Sequence, residues 1–504
     1  MTPFVKPIVL AGSALTLLAT FQMAVSYLST NFISNSYATL FAMTSWLFHL
    51  GQPVYSSIQT QAPYSMPYGP YGYMIVSCFQ QALGPSVFSS KLAPFLVTFG
   101  SLIFLYLALR TRLGWLGALA LTALANTLTL PFEPLQYWPR PDTFLLFAIS
   151  GGLWASTRRE VWGPIMLGFF IGFAVDLKVH AFVPFLLPIA VAWRNNKYFG
   201  PWALAGLVAV VTAFLPFAWP NISILDYLRI LKMDSNTMFL DASAIHYVEW
   251  CSILFLIGLS PLFANKWQAG ETTASLWRNS DLWGPLLLSF LLESYPACQI
   301  GPNHLMPLIP VVIFLAAHFF ADISRKPFLQ RTPNWVGLSM VISVVLFTGL
   351  YALFSDVVEL RDLGPKDILA KERIKDIEQI YNKRMPCVLL NASGSVGTYQ
   401  DDYFYRVILL FNGMPVGIDP TASMDYKYFG KREPDLPSFI AELKSRYNER
   451  IVWICAKDTV PFSHPSYFAP YSPVFSDKFI DDFHHYFELS GHTACFDLYE
   501  EKSN

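Results

Sequence analysis

Long uncharged apolar runs recur through the first 355 residues of this chain and constrain its fold more than any other feature. A helix needs roughly 20 mostly apolar residues to cross the ~30 Å hydrocarbon core of a bilayer. With 54% hydrophobic and 14% charged residues among 504, the composition excludes a purely soluble globular protein. We therefore predict a polytopic membrane protein of about eleven transmembrane helices. The predicted spans are 7–29, 88–109, 114–130, 142–156, 162–178, 180–194, 199–219, 245–264, 281–297, 304–322 and 333–354.

The charge distribution divides the chain into two parts. Residues 1–355 contain 17 Lys and Arg against 12 Asp and Glu, whereas residues 356–504 contain 17 and 23. The second part combines helix-like and strand-like segments, which is typical of a small α/β domain. We predict an all-α membrane domain over 1–355 and a soluble α/β domain over 356–504. The helix-like segments are 366–383 and 437–447, and the strand-like ones are 387–390, 407–411 and 451–455.

Basic residues cluster in alternate loops between the predicted spans, for example at Arg110 and Arg112. By the positive-inside rule these loops are cytoplasmic, which makes the opposite loops and the C-terminal domain extracytoplasmic. This orientation requires that the short apolar segment 71–83 does not cross, and it leaves 36–50 as an amphipathic helix along the outer membrane face. We expect a bacterial inner membrane protein that contacts membrane lipids, and we expect no nucleic-acid partner.

No Asp or Glu occurs before Glu133, and the first acids then stand beside a single arginine, at Glu133, Arg140 and Asp142. Charge at a membrane edge is costly and therefore marks function. We predict that Arg140 holds a phosphate, while Asp142, with Glu133, acts as a base, orients an acceptor or binds a divalent metal such as Mg²⁺ or Mn²⁺. The alternative is an interfacial anchor pair at a helix N-terminus, where the helix dipole favours Asp.

Two further positions on the outer side suit phosphate binding. Lys178 alternates with Asp176 and His180 at the end of the fifth span, and it could hold a lipid phosphate or pair locally with an acid. His304 stands where the tenth span begins and could contact a phosphate or hydroxyl, or serve only as a structural hydrogen-bonding group. Glu293 is one of the few other acids near this membrane face.

The first outer loop is rich in tyrosine, proline and glycine between Gln52 and Tyr73. Tyrosine rings stack on sugars and their hydroxyls donate hydrogen bonds, so Tyr55, Tyr68 and Tyr71 could form the rim of a sugar or lipid-headgroup site. The same residues are also common in loops without a binding role.

These motifs, in this order, resemble the GT-C superfamily of membrane glycosyltransferases over residues 5–355, in particular protein O-mannosyltransferases and the lipid A aminoarabinose transferase. The resemblance implies transfer of a sugar from a polyprenyl-phosphate donor, on the outer membrane face, to a lipid, glycan or protein hydroxyl. The residues that carry it are Gly51-Gln52-Pro53-Val54-Tyr55, Tyr68-Gly69-Pro70-Tyr71, Arg140-Pro141-Asp142, Lys178 after Gly168 and Gly172, and Asn303-His304 with Pro307 and Pro310.

The family's catalytic base is usually an acid in the first outer loop, but the corresponding stretch here, 31–37, contains no carboxylate. Asn and Ser cannot accept a proton near neutral pH. Three interpretations remain. Asp142, Glu133 or an acid within 226–241 serves as the base; the donor phosphate assists; or the protein is a catalytically inactive GT-C-like binding or scaffold protein.

A multi-span transporter is the alternative from another functional class. Intramembrane acids would suit it, but no inverted repeat is evident, and long outer loops with an outer α/β domain are unusual for transporters.

Overall fold

The computed structural model describes residues 5–31, 36–55, 67–130, 140–234, 247–258, 280–300, 302–324, 335–384, 387–391, 435–447, 450–457, 460–463 and 475–502. These residues form mostly helices, followed by a small C-terminal sheet. The helices of residues 1–324 are α1 (Val5–Ser29), α2 (Ser36–His49), α3 (Pro70–Leu83), α4 (Val87–Thr129), α5 (Pro141–Ser156), α6 (Trp162–Leu177), α7 (Leu186–Asn195), α8 (Phe199–Phe214), α9 (Ile224–Asp234), α10 (Tyr247–Gly258), α11 (Ser280–Ile300) and α12 (Ile309–Ser324).

The remaining elements are α13 (Trp335–Arg384), β1 (Cys387–Asn391), α14 (Leu436–Tyr447), β2 (Arg450–Ala456), α15 (Asp477–Tyr486), β3 (Phe487–His492) and β4 (Phe496–Glu501). Short 3-10 helices cover Val179–Phe185, Leu215–Ala218 and Pro302–Leu308. The chain forms two compact units. One comprises Met1–Leu28, Pro94–Pro216 and Phe239–Arg361, and the other comprises Ser29–Ala93, Phe217–Met238 and Asp362–Asn504.

Within the described residues, three helices are long and apolar enough to cross a membrane: Lys6–Ser29, Val87–Thr129 and Phe199–Ala218. Four shorter helical segments are also apolar: Trp162–Leu177, Val179–Asn195, Tyr247–Gly258 and His304–His318. The predicted architecture of apolar helices followed by a sheet-containing C-terminal part is confirmed in outline. The number of spans and the domain boundary at residue 355 stay predictions.

Helix α4 contains the predicted spans 88–109 and 114–130. Its 43 residues would be about 65 Å long at 1.5 Å per residue, roughly twice the hydrocarbon thickness. The helix is interrupted at Gly114, whose φ of 73° lies in the left-handed region that glycine adopts without strain. The interruption divides α4 into a first segment about 40 Å long, enough to cross the hydrocarbon core, and a second about 22 Å long.

In the first unit, α5 packs against α6, and α6 packs against α8. Helix α12 forms part of the core, because consecutive residues from Leu308 to Leu315 are buried. A helix that is apolar on all sides is typically enclosed by others.

In the second unit, α2 packs against α3, and the Phe41 and Tyr73 rings stack with centroids 4.4 Å apart. Helix α3 covers the segment that is predicted not to cross, and its 14 residues span only about 21 Å. The predicted helix over 36–50 is likewise present as α2.

The C-terminal sheet has the strand order β1-β2-β4-β3, with β1 and β2 parallel and the other pairs antiparallel. Trp453 on β2 is fully buried among aromatic rings that include Phe462 and Phe483. Two of the predicted strands are found as β1 and β2, and the predicted helix over 437–447 is α14. The third predicted strand, 407–411, lies outside the described residues.

Candidate active site

The N-terminus of α5 and the C-terminus of α6 lie side by side. Pro141 occupies the first turn of α5, where its missing N–H costs nothing, and Asp142 follows where the helix dipole favours an acid. Lys178 caps the C-terminus of α6 in an extended conformation. Because a short loop joins these two packed helices, they run antiparallel, and the start of α5 meets the end of α6.

This arrangement creates a buried ionic cluster. Lys178 Nζ donates to Asp142 Oδ1 at 2.7 Å, and Arg140 Nε lies 3.7 Å from Asp142 Oδ2. The Asp142 side chain is fully buried, and those of Lys178 and Arg140 are 7% and 9% exposed. Charges taken out of water are retained only where they are paired or functional. The cluster therefore marks this position as a candidate functional site.

Helix α11 is held antiparallel to the segment that follows Lys178. The Ser289 hydroxyl donates to the Val183 carbonyl at 2.9 Å, and Arg194 pairs with Asp281 at the other end. Glu293 lies one turn after Ser289 on the same helix face. The contact therefore brings Glu293 beside His180, with Glu293 Oε2 3.9 Å from His180 Nε2.

His304 completes the group from the 3-10 helix Pro302–Leu308, which contacts both α5 and α11. Its ring centroid lies 5.6 Å from that of His180. The side chains surround a narrow space that has room for about one water-sized group and opens to solvent, within about 240 Å³ of empty volume that includes that solvent. The cavity is lined by Asp142, Leu145, Lys178, His180, Ala181, Pro184, Glu293, His304 and Pro307.

Two kinds of chemistry are adjacent in this cavity. Asp142 faces cations, which keep its carboxylate ionised and suit it to accept a hydrogen bond from a hydroxyl or to bind a metal ion. His180, Glu293 and His304 instead place one possible ligand atom each within 4.8 Å of one another, a group that could hold a metal ion. The metal-binding potential expected at Asp142 is thus also present in a neighbouring group.

The predicted site residues Arg140, Asp142, Lys178 and His304 come together in the first unit. Glu133, the other predicted catalytic acid, lies outside the described residues.

The three predicted rim tyrosines belong to the second unit. There Tyr55 is 2% exposed and its hydroxyl donates to the Tyr68 carbonyl at 2.7 Å, whereas Tyr68 and Tyr71 are half-buried. The contact holds the two tyrosine motifs together, and a rim role for these residues stays a prediction.

No role of their own is predicted from the sequence for Glu293 or His180. The sequence does contain a signal for Glu293. It is a lone acid at the end of the apolar run from Leu286 to Leu292, where a carboxylate is costly. What the sequence could not supply was the partner, because His180 and Glu293 are 113 residues apart.

No protein-family model matches the sequence, and no curated protein sequence matches it significantly. Solved structures do match. ArnT from Cupriavidus metallidurans, in its crystal structure bound to undecaprenyl phosphate, superposes with a TM-score of 0.55 at 13% identity, covering 97% of this chain and 97% of that one. Its apo structure gives a TM-score of 0.56 with the same identity and coverage.

The apo oligosaccharyltransferase of Archaeoglobus fulgidus gives a TM-score of 0.47 at 10% identity, covering 90% of this chain and 70% of that one.

The chain therefore shares the fold of ArnT, in agreement with the resemblance that the sequence motifs gave. Over nearly its full length the chain resembles ArnT in particular. The apolar helices among the described residues, three of them long enough to cross a membrane, indicate an integral membrane protein.

Proposed function

We propose that this protein is a glycosyltransferase. It takes a sugar from a polyprenyl-phosphate-linked donor and transfers it to a hydroxyl of a lipid, glycan or protein acceptor. The reaction takes place on the extracytoplasmic face of a membrane, which we propose to be a bacterial inner membrane. The fold shared with ArnT, which was crystallised bound to undecaprenyl phosphate, supports this donor class.

The observation that carries the proposal is the buried Arg140–Asp142–Lys178 cluster beside an open cavity. Arg and Lys are the residues that bind phosphate oxygens, Arg through a planar fork and Lys as a point charge. A merely structural ion pair would not need a cavity next to it. In this cavity a phosphorylated lipid headgroup would meet the Lys178 ammonium and the Asp142 carboxylate, and Arg140 lies beside Asp142.

In the proposed reaction, Asp142 accepts the proton of the acceptor hydroxyl as that oxygen forms a bond to the anomeric carbon. Asp142 Oδ2 accepts no hydrogen bond from the described residues, so one carboxylate oxygen has capacity for this proton. The bond between the anomeric carbon and the phosphate oxygen breaks, and the polyprenyl phosphate leaves as an anion. Arg140 and Lys178 stabilise the charge on that phosphate, and His304 contacts the phosphate or a sugar hydroxyl.

A divalent metal such as Mg²⁺ or Mn²⁺ bound through Asp142 would supply further positive charge for the leaving phosphate. The two cations that already face Asp142 perform part of that role without a metal. The assay therefore tests the need for a metal separately from the need for Asp142.

The test uses the purified full-length protein and a panel of polyprenyl-phosphate sugars that carry a radiolabelled sugar. Release or transfer of label is measured with and without divalent metal, for the wild type and for Asp142→Asn. We expect the Asn variant to remain folded and to lose turnover, because an amide cannot accept the proton. Arg140→Ala is expected to weaken donor binding instead, measured as a raised donor Kd.

Asp281→Asn is the matched control. Asp281 also stands in the first turn of a helix and pairs with an arginine, but it does not line the cavity. We expect wild-type turnover from this variant. Unchanged turnover in Asp142→Asn would remove Asp142 from the mechanism. Donor binding without any sugar release would favour a non-catalytic GT-C-like binding protein, and substrate-dependent proton uptake without a lipid-linked sugar would favour a transporter.

A further inference from the structure

The side chains of His180, Glu293 and His304 converge from three separate segments of the first unit. His180 belongs to the 3-10 helix that follows Lys178, Glu293 to α11, and His304 to the 3-10 helix that precedes α12. Their ligand atoms all lie within 4.8 Å of one another. None of the three forms an ion pair with Arg140 or Lys178, and His304, proposed above to contact the phosphate or a sugar hydroxyl, can ligate a metal through one ring nitrogen and donate from the other.

Glu293 gives a second, independent indication of a bound cation. Its side chain is 3% exposed, and Oε2 is buried and accepts no hydrogen bond from the described residues. The imidazole of His180, 3.9 Å away, is beyond hydrogen-bonding distance. Burying a carboxylate without close partners is costly, so the position favours a ligand that brings positive charge to this oxygen.

We propose that His180, Glu293 and His304 bind a transition-metal ion of the Zn²⁺ class. Two imidazoles and one carboxylate are a donor set that suits zinc, whereas Mg²⁺ and Ca²⁺ prefer oxygen ligands throughout. Three protein ligands leave a fourth position open, as in catalytic zinc sites. Since all three side chains line the cavity, that position faces the space shared with Asp142 and Lys178, where water or an anionic oxygen can occupy it.

The geometry requires a modest closure around the ion. Bond lengths of about 2.0–2.1 Å in a tetrahedral site place neighbouring ligand atoms roughly 3.3 Å apart. The three side chains must therefore draw together by about an ångström or more. His180 can supply much of this movement, because its side chain is 40% exposed and lies in a short 3-10 helix.

The test measures metal content in tag-free full-length protein. The protein is stripped with a chelator, reloaded with Zn²⁺ or Co²⁺ and desalted, and the bound metal is then quantified by mass spectrometry. We expect one Zn²⁺ per chain, no retained Mg²⁺, and visible absorption bands from bound Co²⁺ that report nitrogen and oxygen ligands. Glu293→Gln and His304→Ala are each expected to weaken Zn²⁺ binding at least tenfold.

Two controls separate this site from others. The double variant His484→Ala/His485→Ala removes exposed imidazoles on α15, and Asp142→Asn removes the neighbouring acid. Both are expected to retain the metal. Added Zn²⁺ should raise the unfolding temperature of the wild type and of both controls, but not of the Glu293 and His304 variants, which also shows that these variants fold.

The proposal is overturned if the wild type retains no metal, or if folded Glu293→Gln and His304→Ala bind it as tightly as the wild type. Loss of metal only in the His484→Ala/His485→Ala protein would identify adventitious surface binding. Loss only in Asp142→Asn would place the metal at that acid instead. Because the readout is bound metal, the result does not depend on glycosyltransferase activity.

Discussion

Asp142 and Lys178 illustrate how single residues determine the properties of this site. Their 2.7 Å contact is buried, so neither charge is screened by water. Removing one member of a buried ion pair leaves the other charge buried without a partner and lowers stability strongly. Replacing both members by neutral groups of similar size changes stability much less. Arg140 Nε, at 3.7 Å from Asp142, compensates only part of such a loss.

We therefore expect Lys178→Met to lower the free energy of unfolding by roughly 3 kcal/mol, because Asp142 stays buried and loses its closest countercharge. Adding Asp142→Asn to Lys178→Met should recover much of that loss, because no uncompensated carboxylate remains. Unfolding of both single variants and the double variant in detergent measures the coupling. If the two effects simply add, Asp142 and Lys178 do not interact energetically, and their pairing has no role in stability.

At the scale of elements, two glycines of α6 allow a close backbone contact with α8. A Cβ atom on Gly168 would lie 2.2 Å from the carbonyl oxygen of Ala205, and one on Gly172 would lie 2.3 Å from that of Ala209. The backbones of α6 and α8 thus approach at two points one turn apart, the small-residue packing that is common between membrane helices. Much of α8 is exposed, so this contact provides a large share of what holds it.

Gly168→Ala is expected to destabilise the protein by about 1–3 kcal/mol, because the methyl group meets backbone atoms that cannot move aside independently. Gly206→Ala on α8 is the matched control, since a Cβ there would meet no atom within 4 Å. Thermal unfolding in detergent should show a lower midpoint for the first variant and an unchanged or slightly higher one for the second. Equal midpoints would mean that α6 and α8 separate at little cost.

At the scale of the whole molecule, helix α13 continues through the predicted domain boundary at residue 355 and ends only at Arg384. Its C-terminal half belongs to the second unit together with residues 29–93. There the Asp367 carboxylate accepts a hydrogen bond from the Asn31 backbone at 2.7 Å and pairs with Lys371 at 2.7 Å. A chain cut at the predicted boundary would lose these contacts as well as the sheet.

We expect a protein that ends at Arg384 to be more stable than one that ends at Val357, because the first keeps the Asp367–Asn31 contact. The two truncated proteins are compared by limited proteolysis within residues 29–93 and by their unfolding midpoints. Equal protection would show that α13 beyond residue 357 does not stabilise this segment. If the protein that ends at Arg384 remains active, its acceptor preference tests the role of the C-terminal sheet. A changed preference would mean that the sheet selects the acceptor, and an unchanged one would argue for an interaction surface.

Much of the helical architecture was predictable, because apolar runs and proline punctuation act locally. Pro141 and Asp142 mark the start of α5 in the sequence as clearly as in the structure. The C-terminal domain was less predictable. Helix α15 and strands β3 and β4 were not foreseen, because Phe483, Phe487 and their neighbours form a core around Trp453 only after distant segments meet.

The sequence by itself determined the membrane character, the resemblance to GT-C glycosyltransferases and the presence of costly charges at Arg140, Asp142 and Lys178, since these depend on composition and short motifs. The tertiary structure decided which charges meet. Lys178 contacts Asp142 across 36 residues, although Asp176 is far closer in sequence. Glu293 joins His180 and His304 only because α11 packs antiparallel to the segment after α6. Helix packing sets such contacts, and no local pattern encodes them.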